Sequence, residues 1–350
     1  MHFSDNLISW YKQNKRDLPW RNTTNPYKIW LSEIILQQTK VNQGLSYYYK
    51  FIEHFPTIND LANSSEQKVL KLWQGLGYYS RARNLHATAK VIAREYKGIF
   101  PSDYNSILSL KGIGDYTAAA IASFSYNLPY PVVDGNVFRV LSRIYGIDTP
   151  IDTPEGKKTF YLLANELINI KKAAIHNQAI MEFGALICTP KNPNCENCVF
   201  NNSCIAFANK QINLLPIKSK KIKQTNRFFN YLIIKTNTSE TFITERKNKD
   251  IWKGLYDFPL IETSKKVSSF NELSKQTIFQ QLLPESATLI LNKVSPETKH
   301  ILSHQKIYAT FWHITTNKTK HLEADFTKVN SSSINNYPLP KLIENYVKTF

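Results

Sequence analysis

Two carboxylates and four thiols stand where the neighbouring residue types set their chemistry. In residues 30–39, reading W-L-S-E-I-I-L-Q-Q-T, Glu33 is the one acid among Trp30, Leu31, Ile34, Ile35 and Leu36. A carboxyl group in apolar surroundings loses solvation of its anion, so its pKa rises and it holds a proton near neutral pH. That is the requirement for a general acid; a solvated helical glutamate is the alternative this stretch permits. Residues 129–137 read P-Y-P-V-V-D-G-N-V, and their prolines and valines prescribe an extended, buried approach that leaves Asp134 where the next helix starts. An aspartate at an N-cap accepts hydrogen bonds from free backbone N–H groups, which favours its anion. Such a residue either only caps or also faces a developing cation. Cys188, Cys195, Cys198 and Cys204 are the only cysteines, with six, two and five residues between them. Four thiolates suit a tetrahedral zinc or an iron–sulfur cluster; one tight pair with two wider intervals favours the cluster.

The elements that must position these groups are mainly helices between residue 3 and about residue 210. Helical spacing is expected over residues 67–73, 80–96 and 138–145, and over residues 30–51 as one long or two consecutive helices. Pro19 ends a first helix. Between the helices lies Gly75-Leu76-Gly77-Tyr78-Tyr79, followed by Arg81 and Arg83. The glycines allow turns closed to other residues and a close approach of a partner; the tyrosines either pack in a core or join the arginines in an exposed nucleic-acid face. Leu108 and Leu110 close a helix, Lys111-Gly112-Ile113-Gly114 makes a tight hairpin, and Asp115 opens the next helix. Consecutive N–H groups exposed by Gly112 and Gly114 at a helix start suit a phosphate oxygen and fix position on DNA without reading sequence.

The chain has 350 residues, 42% hydrophobic and 20% charged, with a formal net charge of +17. That size holds more than one domain. The charge fits a polyanionic partner such as nucleic acid, though a bias toward lysine alone would also produce it. No run approaches a membrane span, and residues 1–10 lack the apolar core of a signal peptide, so a cytoplasmic protein with no membrane partner is expected. From residue 211 the character changes: Lys218-Ser219-Lys220-Lys221-Ile222-Lys223 reads as a basic linker. Strands follow at 228–235 and 241–246 around a polar Asn237-Thr238-Ser239 turn, and further strands at 288–291 and 306–314. Helices are expected at 268–283 and 341–347, giving an α+β domain.

Taken together, these stretches resemble the adenine DNA glycosylases of the MutY family, within the endonuclease III superfamily. The resemblance runs from about Asn14 to Phe207 and is weaker beyond. Its carriers are L-P-W-R ending at Arg21, the stretch from Trp30 to Thr39, G-L-G-Y-Y-S-R-A-R-N-L from Gly75, K-G-I-G-D-Y-T-A from Lys111, V-D-G-N-V from Val133, and the cysteine spacing. It implies a mainly α helix-hairpin-helix glycosylase domain with two helical subdomains and an iron–sulfur loop (residues 1–210), a basic linker (211–226) and an α+β Nudix-like lesion-recognition domain (227–350). It implies a 4Fe–4S cluster on the four cysteines and a monomer, nucleoid-associated, that acts on double-stranded DNA carrying adenine opposite 8-oxoguanine or guanine. Glu33 would protonate the adenine, and Asp134 would stabilise the oxocarbenium-like sugar or briefly bond to its anomeric carbon. Asn136 and Tyr116 would assist. Leu36, Gln37, Gln38 and Tyr78 would occupy the gap around the oxidised base. Arg21, Thr39, Gly77, Arg81, Gly112 and Gly114 would contact DNA.

Bifunctional relatives place a lysine nucleophile just after the hairpin glycines; here that residue is Tyr116, so a monofunctional hydrolase is expected. Ser303-His304 falls where the family has Phe-Ser-His, with Leu302 in place of the Phe. A serine hydroxyl there could accept from the N–H that distinguishes 8-oxoguanine, or both side chains face solvent at a strand edge. The magnesium-holding acidic cluster of Nudix hydrolases is missing, which argues against a nucleoside-diphosphate hydrolase. A DNA-binding iron–sulfur protein without catalysis would not need Glu33 and Asp134.

Overall fold

The computed structural model describes residues 3–219, 224–235, 240–284 and 288–349. The chain forms two compact units, one of Met1–Asn63 with Asn84–Lys220 and one of Ser64–Arg83 with Lys221–Phe350.

The first unit begins with α1 (Phe3–Asn14), α2 (Pro26–Leu36), α3 (Val41–His54) and α4 (Ile58–Asn63). After α5 (Glu66–Trp73) it resumes within α6 (Ser80–Glu95). It continues through α7 (Tyr104–Ser109), α8 (Asp115–Tyr126), α9 (Gly135–Tyr145), α10 (Pro154–Leu167), α11 (Ala173–Leu186) and the short α12 (Ile205–Ala208). Local chemistry sets the ends. Asn25 accepts from Lys28 N and Pro26 takes the first helical position of α2, where its missing N–H costs nothing. The stretch left open as one helix or two is two: Gln38 takes a left-handed φ of 55°, and the polar Gln37-Gln38-Thr39 turn separates α2 from α3. The helices then pack closely, since a Cβ on Gly44 would lie 2.8 Å from Leu36 Cδ2.

The alanine run Ala118–Ala120 keeps α8 slender, and α2 and α11 both pack on it. Around α9, α11 and α1 a core forms from Leu7, Trp10, Val140, Leu141, Phe160 and Phe183. Full burial of such side chains is worth about 1.5–3 kcal/mol each before entropy is counted. The hairpin before α8 has the expected form. Gly112 sits at φ 79°, where a Cβ would be 2.7 Å from Asn84 Cβ, and Thr88 Oγ1 donates to the Lys111 carbonyl at 2.6 Å.

In the second unit, β1 (Thr225–Lys235) pairs in parallel with the long β7 (Gln305–Thr316), which succeeds β2 (Glu240–Glu245), β3 (Tyr256–Asp257), β4 (Leu260–Thr263), β5 (Leu289–Val294) and β6 (Thr298–Ile301) in the chain. The larger sheet has the order β4-β1-β7-β5 with β6 also on β7, and β2 joins β3 and β8 (Thr327–Asn330) in a second sheet. The two strands expected around the 237–239 turn thus lie in different sheets; the turn itself lies outside the described residues, as do residues 220–223 of the basic stretch. The helix expected over 268–283 is two short ones, α13 (Phe270–Ser274) and α14 (Thr277–Leu282), and α15 (Lys341–Val347) closes the fold. Leu232, Ile234, Phe242, Phe279, Trp312 and Ile314 form its core.

Ser64–Arg83 groups with this unit through directional bonds. Lys71 Nζ donates to the carbonyls of Asn335 and Tyr337, Gln74 Oε1 accepts from Leu339 N at 3.1 Å, and Arg83 Nη1 donates to Lys253 O at 2.6 Å. Among the described residues no helix is long and apolar enough to cross a membrane.

Candidate active site

Glu33 projects from the middle of α2, whose Tyr27, Ile29, Trp30, Leu31, Ile34 and Ile35 are all buried. It is 7% exposed and its Oε2 accepts from the Tyr116 hydroxyl at 2.8 Å. Burial pushes the carboxyl up to about 7; the Tyr116 hydrogen bond opposes this and the nearby Asp134 charge adds to it. The apolar setting read from residues 30–39 therefore has its expected electrostatic effect.

Asp134 caps α9, its Oδ1 accepting from Asn136 N at 2.9 Å and Val137 N at 2.8 Å. Its Oδ2 accepts from Asn136 Nδ2 at 2.8 Å. These bonds favour the anion, as expected of a cap, but burial works against them. Burial raises the Asp134 pKa, and the caps and Arg139 only partly offset that rise. What separates the two acids is the number of donors: three on Asp134 against one phenol on Glu33. Asp134 ionises first, and its charge then helps Glu33 keep its proton.

Both acids line one pocket of about 380 Å3 with Tyr116, Asn136, Leu36, Gln37, Gln38, Thr39 and Arg21. Gln37 Nε2 donates to Thr117 Oγ1 at 3.4 Å, which ties the turn after α2 to α8. Gly114 is open, with nothing within 4 Å of an added Cβ. Arg21, expected to contact DNA, forms a wall of the pocket and is bonded through Nη2 to Glu182 Oε2 at 2.6 Å. Glu182, fully buried, also receives the Arg16 backbone N and side chain. Burial pushes its carboxyl up, but the bonds from Arg16 and Arg21 outweigh that and bring it to about 2. Arg21 Nη1 remains buried with no acceptor among the described residues.

Sequence reading missed Arg16, Glu182 and Arg139. Arg139, one helical turn past Asn136, donates from Nη2 to Asn136 Oδ1 at 2.9 Å and to Gly184 O at 2.7 Å. Its Nε reaches Cys188 O at 2.6 Å. The i, i+3 spacing on one helix was an available signal for it; Glu182 had none, because its partners lie 161 and 166 positions away.

All four cysteines line one small concavity with Ile144, Phe183, Ile187 and Phe207. Burial raises the thiols of Cys195, Cys198 and Cys204, Cys198 to about 11, and the charges of neighbouring cysteines raise them further. Four thiolates thus need a cationic centre among them, and two donors are ready for sulfur: Arg143 Nη1 on Cys188 at 3.5 Å and Phe200 N on Cys198 at 3.4 Å. The donor set fits a thiolate-ligated cluster.

The remaining expected DNA contacts lie in the second unit. Tyr78 takes a left-handed φ of 49°, is 43% exposed and hydrogen-bonds through its hydroxyl to Ser303 Oγ. With Gly77, Ser303, His304 and Trp252 it lines a cavity of about 460 Å3. Of the two alternatives left open for this stretch, the arginines are part-buried: Arg81 lies over the Trp73 and Tyr78 rings and donates to Gly77 O at 3.2 Å. Arg81 thus braces the glycine loop, while Arg83 donates to the Lys253 carbonyl.

Residues 31–164 match the HhH-GPD superfamily of base excision DNA repair proteins, residues 188–204 the iron-sulfur binding domain of endonuclease III, and residues 230–349 a NUDIX domain. The adenine DNA glycosylase of Buchnera aphidicola subsp. Baizongia pistaciae is 38% identical over 310 residues, covering 87% of this chain and 84% of its own. That of Arabidopsis thaliana is 32% identical over 350 residues, covering 86% and 55%. Among solved structures, a thermostable thymine-DNA glycosylase superposes with a TM-score of 0.55 at 29% identity, over 59% of this chain and 95% of that one. An endonuclease III–DNA complex, at 20% identity and a TM-score of 0.51 over 59% and 94%, shares the fold. The cofactor is a 4Fe–4S cluster, in keeping with the iron-sulfur match over residues 188–204 that holds all four cysteines. With a base excision repair glycosylase domain, a cluster loop and a NUDIX domain all matched, and a relative 38% identical over most of both chains, the chain belongs to the adenine DNA glycosylases, hydrolases of N-glycosyl bonds in base excision repair.

Proposed function

We propose that the chain releases adenine mispaired with 8-oxoguanine or guanine in double-stranded DNA, as a monomer at the nucleoid, and leaves an abasic site without strand scission. The observation that carries this reading is the pairing, in one pocket, of a carboxyl held near pH 7 with a partner acid that accepts three hydrogen bonds. A stacked base is out of reach of Glu33, so the adenine must flip into the pocket, at a cost of a few kcal/mol. Glu33 delivers its proton to a ring nitrogen of adenine as the N-glycosidic bond breaks, so that a neutral base departs. General acid catalysis of this kind contributes about 10²- to 10⁴-fold. The Asp134 anion faces the oxocarbenium-like sugar, directly or through a brief bond to its anomeric carbon; water then adds there and returns a proton to Glu33. Asn136 and Tyr116 orient the two acids, and Arg21 Nη1 is a free donor for an acceptor on the flipped base.

Among the described residues no lysine lines this pocket, and Tyr116 holds the place that a Schiff-base lysine takes in bifunctional relatives, which supports simple hydrolysis. Cys188, Cys195, Cys198 and Cys204 would hold the cluster, whose role is to fold the loop and present it to DNA. Gly112, Gly114 and Thr39 would contact DNA near the pocket. In the second unit, Tyr78, Gly77, Ser303 and His304 would read the 8-oxoguanine side, within a lesion-recognition domain of residues 227–350 that follows a basic linker (211–226) and a glycosylase domain (1–210). The decisive experiment uses a duplex with adenine opposite 8-oxoguanine and follows base release and strand scission with and without alkali. Release with scission only after alkali is expected. Scission without alkali would overturn the monofunctional reading, and no release would overturn the assignment.

A further inference from the structure

A second concavity, of about 670 Å3, adjoins the active-site pocket in the first unit, and Gln37 and Tyr116 line both. The proposed chemistry at Glu33 and Asp134 makes no use of it. Its far wall is the start of α10, with Lys157, Lys158 and Tyr161, and its near wall is Gly114 and Asp115 at the hairpin.

Charge, rigidity and shape limit what this cleft can hold. Lys157 and Lys158 are exposed and make no ion pair among the described residues. Among the described residues Asp115 is the one acid on the lining, so the lining is net cationic. The lysines are carried on a fixed base: Thr153 Oγ1 accepts from Gly156 N at 3.1 Å, and a Cβ on Gly156 would lie 2.1 Å from the Pro150 carbonyl oxygen. The first turn of α10 therefore rests directly on the backbone of the preceding loop. Tyr161, 41% exposed, lines the cleft with the lysines and Tyr104, which is itself stacked on Tyr130 at 4.1 Å.

We propose that this cleft holds the sugar–phosphate backbone of the adenine-bearing strand next to the flipped nucleotide, with Lys157 and Lys158 neutralising phosphates and Tyr161 packed on a deoxyribose. The inference rests on the flipped adenine occupying the Glu33–Asp134 pocket. A nucleotide there stays joined to its neighbours, so its backbone must run out beside the pocket, and the cationic space sharing two of the pocket's residues accepts it.

Each phosphate contact contributes about 0.9 to the slope of log affinity against log salt. The test measures binding by fluorescence anisotropy between about 50 and 200 mM salt, on a duplex with a tetrahydrofuran abasic analogue opposite 8-oxoguanine. The double variant Lys157→Ala, Lys158→Ala is expected to flatten the slope by about 1 to 2. The control Lys171→Ala, Lys172→Ala removes equal charge from an exposed pair outside the cleft and is expected to leave the slope as in the wild type. An unchanged slope in the first variant, or equal flattening in both, overturns the proposal. Adenine release by the wild type is measured alongside. Release with an unchanged slope removes the strand track and keeps the pocket, whereas no release sinks the pocket reading itself.

Discussion

Glu33 carries a stability cost that its chemistry requires. A carboxyl whose pKa rises on folding, here from 4.5 to about 7, destabilises the native state increasingly as pH climbs from about 4.5 to 7, and by a constant amount above that. The shift corresponds to about 3 kcal/mol. Glu33→Gln is therefore expected to melt later than the wild type at pH 8 and equally at pH 4, while adenine release falls by about 10²-fold or more; calorimetry and a single-turnover excision assay check both. In the wild type the excision rate should fall as pH rises through about 7, and a flat profile from pH 6 to 9 would contradict Glu33 as the proton donor. The sequence displayed the setting of Glu33 because its apolar neighbours are adjacent on one helix. It did not display Tyr116 as its partner, 83 positions away, nor the Arg16–Glu182–Arg21 cluster, because such contacts exist only once the helices pack.

Individual elements hold these side chains in place. Gly112 combines a left-handed φ with a neighbour 2.7 Å from any added Cβ, so Gly112→Ala is expected to cost at least about 1 kcal/mol and to weaken DNA binding, read from denaturant unfolding and from anisotropy. Arg139 serves α9 differently, satisfying the carbonyls of Gly184 and Cys188 together with the Asn136 side chain. Its replacement by alanine leaves buried acceptors unpaired, at about 2 to 4 kcal/mol. Lower iron content per protein should accompany the loss, checked by metal analysis of the purified variant. The helices and the hairpin were legible because caps, glycines and apolar periodicity are local signals. The short strands β3, β4, β6 and β8 were not, since two- to four-residue segments carry too little alternation to register and are defined by their partners.

Across the whole molecule, a cut after residue 220 should destabilise what remains, because Lys71, Gln74 and Arg83 would lose their backbone partners at 335, 337, 339 and 253. Comparing the melting temperature of the intact and shortened chains checks this, and equal values would show that α5 stands without its partners. The change of character from residue 211 marked a helical part followed by an α+β part; the grouping of Ser64–Arg83 with the C-terminal sheets did not follow from it, because no local pattern marks a helix whose hydrogen-bonding partners arrive more than 260 positions later. That grouping makes the polypeptide pass between the units three times. Inheritance is constrained as a result: the partners of Lys71 and Gln74 at 335–339 are main-chain groups, so a recombination that imported only the second half of a homologous gene would work where that half keeps the same backbone path there, whatever its side chains.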